Sequence, residues 1–140
     1  MFNFEDEVEQ LFRAFAVKHG LSIEKEEQNE VDLLMTVPRQ ERLSFELTLG
    51  FQNGDEINIG FNEFWSCIFP YPSVKSHVET LLDGIVTGNA RLVTKSQFGR
   101  TVSRTLEYLE DDEWITGYRQ LNGLALPFIK SQLEYFSNKP

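Results

Sequence analysis

Asn53-Gly54 lies between two runs of alternating residues, and it restricts the possible folds of this chain more than any other feature. Before it, Leu43, Phe45, Leu47 and Leu49 alternate with Ser44, Glu46 and Thr48; after it come Ile57, Ile59 and Phe61. A period of two places one set of side chains on one face of a strand. Asn-Gly accepts the positive φ angles of a tight hairpin turn. An antiparallel pair with one apolar face follows, and that face needs a covering layer.

The neighbouring segments supply it. Leu21 and Ile23 lead to a polar turn at Gln28-Asn29, and Val31, Leu33, Met35 and Val37 alternate up to Pro38. Phe4, Val8, Leu11, Phe12 and Phe15 recur at helical spacing, with Asn3 as a cap and Gly20 as a stop. A second helix is predicted from Pro72-Ser73 to Gly88, with Val74, Val78, Leu81, Leu82 and Ile85 inward. Strands are expected over 90–95, 100–109 and 114–119, the last two joined by Glu110-Asp111-Asp112-Glu113. A final helix is expected from Pro127 to Phe136, with Phe128, Ile129, Leu133 and Phe136 inward. The expected order is α-β-β-β-β-α-β-β-β-α: one α+β domain over 1–140, its helices packed on one face of an antiparallel sheet. A chain of 140 residues, 41% hydrophobic with 12 Phe, can bury one core and is not of disordered type.

Charge is concentrated in one half. The formal net charge is −9; residues 1–69 hold 5 Lys/Arg against 14 Asp/Glu, while residues 70–140 hold 8 of each. An acidic field disfavours nucleic acid and anionic membranes and steers basic partners inward. The lone cysteine, Cys67, cannot form an internal disulfide, the N-terminus is acidic, and no apolar run approaches a membrane span. A cytoplasmic location is expected.

The residues that carry chemistry do not converge. Cys67 and His77 are the one Cys-His combination to test as a hydrolase pair, with Glu63 or Glu79 to orient the base. His19 and His77 are far apart, with no paired-Cys or HExxH spacing for a metal. The acidic turn lacks the glycine and spacing of a calcium loop. No glycine-rich loop opens a helix to cradle phosphate. No catalytic residue, metal or cofactor is therefore expected. Arg100 and Arg104 share a strand face as a possible anion patch, or pair with carboxylates across the sheet.

The segment Gly60 to Pro72 holds Phe61, Phe64, Trp65, Phe69 and Tyr71. Phe61, Phe64 and Phe69 are expected to fill the gap between sheet and second helix. Trp65 and Tyr71 either bury their rings with polar tips near water or keep an exposed edge as partner-binding anchors, with Glu63, Asp55 and Glu56 as a charged rim.

Phe61-Asn62-Glu63-Phe64-Trp65, followed by the helix and short strand from His77 to Val93, resembles small bacterial α+β proteins of toxin-immunity and uncharacterised families. That resemblance covers about a quarter of the chain. It implies a non-enzymatic cytosolic protein that occludes a toxin, its acidic face suited to a basic partner. Leu11-Phe12-Arg13-Ala14-Phe15-Ala16 ending at Gly20-Leu21, with the small size and acidity, is similar to type III secretion chaperones. That similarity implies a dimer holding an extended segment; the strands after the second helix and the aromatic stretch before it depart from it.

Overall fold

A computed structural model describes residues 4–27 and 31–139. The expected Asn3 cap and the Gln28-Asn29 turn lie outside the described residues. Helix α1 spans Glu5–His19, with Val8, Leu11, Phe12, Phe15 and Ala16 buried and Glu5, Asp6 and Glu7 in its first turn, where the helix dipole favours anions. Gly20 closes it at φ 65°, a left-handed conformation in which glycine carries no Cβ penalty.

Five strands form the first sheet: β1 (Glu24–Lys25), β2 (Leu33–Val37), β3 (Leu47–Gln52), β4 (Glu56–Phe61) and β5 (Phe64–Trp65). They pair antiparallel in chain order, as a meander. The register sets Leu33 opposite Phe51, Met35 opposite Leu49, and Leu49 opposite Ile59, so the apolar sets fall on one face against α1. Asn53 and Gly54 take φ 57° and 79° in the hairpin turn. The β3 strand starts at Leu47, four residues later than its alternation suggests. Gln40 and Leu43 exchange two backbone hydrogen bonds, and the Ser44 N–H is donated to the Asn138 side chain. These backbone groups are satisfied off the sheet.

Helix α2 (Lys75–Thr87) buries Val78, Leu81, Leu82 and Ile85, and Gly88 closes it at φ 85°. It covers one face of a second antiparallel sheet built from β6 (Ala90–Gln97), β7 (Arg100–Glu110), β8 (Glu113–Leu121) and β9 (Gln132–Phe136), in the order β8-β7-β6-β9. The architecture is α+β, with two sheets where one was expected.

Residues 132–136 are a strand, not the expected final helix. They pair with the edge of β6, from Leu92 opposite Phe136 to Ser96 opposite Gln132. Phe128 takes φ 67°, which interrupts any helix, and the free edge of β6 needs hydrogen-bond partners. Phe128, Ile129 and Leu133 are exposed rather than inward; Phe136 alone packs on the core. One continuous core joins both helices and both sheets. At the seam, Phe45 stacks on Phe61 at 5.0 Å and meets Phe136 at 5.1 Å, while Phe64 meets Tyr118 edge-on at 6.0 Å. Among the described residues no helix is long and apolar enough to cross a membrane.

Candidate functional site

The aromatic stretch does close the core, with its side chains divided by backbone pinning. Asn62 and Glu63, at φ 47° and 68°, make the two-residue turn between β4 and β5, which pairs Phe61 with Phe64. Ile68 exchanges two hydrogen bonds with Ile57, and the Tyr71 N–H is donated to the Asp55 carbonyl. Between these anchors Ile68 and Tyr71 turn inward and Phe69 turns out, 60% exposed. Phe69 thus fills no gap.

Tyr71 is only 2% exposed, wedged between Phe4 at 5.2 Å and Phe51 at 6.5 Å. Tyr71 is therefore no partner-binding anchor: its ring completes the core under α1, and its hydroxyl does not reach water. Its hydroxyl lies near Glu7 without closing a hydrogen bond; burial first, and then that carboxylate, push its pKa up.

Trp65 keeps an exposed edge, at 36%. Its ring crosses Gly60 so closely that a Cβ there would lie 2.5 Å from the ring, and its backbone N–H is donated to the Gln120 side-chain oxygen at 3.1 Å. Beside it runs a groove of about 400 Å³ with Phe45, Phe61 and Trp65 on its walls and Glu46 and Glu63 at its rim. Both carboxylates are exposed. The groove therefore holds aromatic rings beside two carboxylates, one of which, Glu63, accepts from Arg104.

The other rim residues do not join it. Asp55 and Glu56 lie at the opposite end of β4, roughly 17 Å away at strand spacing. Glu56 accepts from Asn58 at 2.8 Å and from Gln52 at 3.0 Å, so its carboxylate serves the buried Asn58 network rather than a surface rim.

Arg104 donates to Glu63 at 3.0 Å across the seam between the sheets, and its side chain is largely covered. Arg100 lies exposed at the start of β7. The two arginines do not converge on a shared anion site; one is already matched by a carboxylate. Arg91 pairs with Glu107 at 2.9 Å within its own sheet.

Cys67 and His77 are also held apart in role. Cys67 sits by Asn58 at 3.7 Å; burial, then the adjacent Glu56, raises its thiol pKa, which keeps it protonated and poorly nucleophilic. The His77 ring shares a hydrogen bond with the Gly117 carbonyl at 3.0 Å and meets Tyr108 edge-on. No hydrogen bond links the pair among the described residues. Nor, among those residues, is any group of three or more His, Cys, Asp or Glu arranged around a metal position. The acidic tip is a hairpin turn, Asp111 and Asp112 both at positive φ and exposed.

A second concavity, about 320 Å³, lies between α1 and α2, with Leu11, Phe15 and Leu82 along it. Two of its acids are already paired, Asp83 with Lys18 and Glu7 with Lys75. Sequence reasoning missed Glu46 as a rim residue, because its neighbours on the groove come from β4, β5 and β9. Compared with known proteins, the chain matches no protein-family model, no curated protein and no solved structure.

Proposed function

We propose that this chain is a non-enzymatic protein-binding domain that masks a basic partner, in the manner of an immunity protein. The observation that carries this reading is the groove in which Trp65 and Phe45 flank the exposed carboxylates of Glu46 and Glu63. An arginine or lysine of the partner enters between the aromatic faces and meets both carboxylates, where an ion pair and a cation–π contact act on the same group. The charge distribution favours the same partner: the net −9 resides in residues 1–69, which build α1 and the first sheet. That field steers a basic protein to this half of the surface. Glu63 exchanges its contact with Arg104 for the partner's cation, so docking also loosens the link between the sheets.

The test is a photo-crosslinking residue at position 48, on the groove beside Trp65, in the native host. The expected capture is a protein rich in Lys and Arg, lost when Glu46→Gln and Glu63→Gln are combined. Its toxicity on expression is relieved by this chain and not by the double variant. Capture of a partner without basic excess, or capture indifferent to both substitutions, overturns the proposal.

A further inference from the structure

The second sheet has a face that no helix covers. Its inward row, Tyr118, Leu106, Leu92 and Phe136, packs toward the core. One residue along, the strands turn two rows to the other face: Arg119, Thr105, Val93 and Tyr135, then Leu121, Ser103, Lys95 and Leu133. Thr105 and Ser103 are buried there beside Leu124 and Ala125, while Arg119, Leu121, Leu133 and Tyr135 are exposed. These rows border a groove of about 480 Å³. Arg91 lies between the rings of Trp114 at 4.0 Å and Tyr135 at 4.6 Å, which stiffens one end of the face.

Every residue from 121 to 130 is exposed, although Leu121, Leu124, Leu126, Phe128 and Ile129 fall among them. This loop is built rather than loose. The buried Gln97 side chain accepts the Leu126 N–H at 2.8 Å and donates to Leu126 and Ile129 carbonyls and the Ser131 hydroxyl at 3.1–3.3 Å. It holds Phe128 fully exposed at φ 67°, a conformation that costs a bulky residue energy and persists only where its surroundings impose it.

We propose that this face is the contact between two copies of the chain, with the Phe128 loop of each seated against the open rows of the other. Three observations select a second copy. The exposed parts of Leu121, Leu124, Leu126, Phe128, Leu133 and Tyr135 sum to on the order of 800 Å², comparable to what one partner contributes to a stable interface. The projecting loop and the receiving groove lie on the same face, so a two-fold axis lets each fill the other. Charge agrees: residues 70–140 carry 8 basic and 8 acidic residues, and Arg91 is neutralised by Glu107. This half lets two copies approach without repulsion and gives a charged partner no field to read, whereas the first half repels its own kind.

Sedimentation equilibrium over a wide concentration range tests it. The expected mass is twice the 16.2 kDa of one chain. Phe128→Asp, which tolerates the left-handed φ, raises the dimer dissociation constant roughly 30-fold or more. Leu124→Ser acts in the same direction, with circular dichroism confirming that both variants fold. Trp65→Ala, on the other groove, leaves the dimer intact. A single-chain mass at all concentrations overturns the inference, as does a dimer that ignores both loop substitutions or dissolves with Trp65→Ala.

Discussion

Asn138 carries more of the tertiary structure than its place near the chain end suggests. Its side-chain oxygen accepts the Ser44 N–H and hydroxyl at 2.8 and 3.0 Å, and its amide donates to the Arg42 and Val86 carbonyls at 2.8 and 2.7 Å. It thereby ties the segment after β9 to the bend before β3 and the end of α2. Removing it strands the buried Val86 carbonyl, whereas Ser44 and Arg42 lie exposed and can turn to water. Asn138→Ala is expected to lose about 1–3 kcal/mol in urea unfolding; a loss below about 1 kcal/mol shows that water replaces the side chain at Val86 as well. Gly60 is constrained differently, by the Trp65 ring across its Cα. Gly60→Ala displaces that ring at a cost of about 1–3 kcal/mol. Trp65 emission, read in a Trp114→Phe background, is expected to shift with it. Unchanged emission shows that the ring accommodates a Cβ.

At the scale of elements, α1 and α2 are joined by a charged clamp. Lys18 and His19, in the last turn of α1, reach Asp83 of α2 at 2.7 and 2.8 Å. Burial alone raises the Asp83 pKa, but the hydrogen bonds from Lys18 and His19 outweigh it and hold the carboxyl below its ordinary 3.8. A depressed folded-state value means that the stabilisation is complete above the unfolded pKa and is lost as pH falls through the folded one. At a side chain one-third exposed, solvent screening leaves about 0.5 kcal/mol. Thermal unfolding from about pH 6 to 2 should show Asp83→Asn less stable than the parent at the upper end and equal to it at the lower. A constant gap across that range removes the clamp from the acid response. Both helices were legible in the sequence, since their stripes and closing glycines lie within one local stretch. The clamp was not, because His19 and Asp83 are 64 residues apart.

For the molecule as a whole, the two proposed contacts fall on different surfaces. The acidic half bears the Trp65 groove, and the charge-balanced half bears the open sheet face; a dimer joined through the latter leaves both grooves free. The proposed binding of a basic partner and the proposed self-association are therefore expected to be separable, each failing with its own substitutions. The expected rim was partly legible: Trp65 and Glu63 share the groove, while Asp55 and Glu56 lie at the far end of β4. Alternation identifies which residues share a face but not which strand ends meet. The Phe128 loop was misread because Phe128, Ile129, Leu133 and Phe136 also fit helical spacing, although Gln132 to Phe136 alternates as a strand does.

By itself, the sequence determined α1, the antiparallel meander, the Asn53-Gly54 hairpin, α2 and the acidic turn at Asp111-Asp112. Each depends on periodicity or turn chemistry within about 20 residues, and these local preferences survive folding. Tertiary structure alone decided the division into two sheets, the recruitment of residues 132–136 as β9, and the inward turn of Tyr71 beside the outward turn of Phe69. Those outcomes depend on distant hydrogen-bond partners, the free edge of β6 and the shape of the space under α1, which no local pattern encodes.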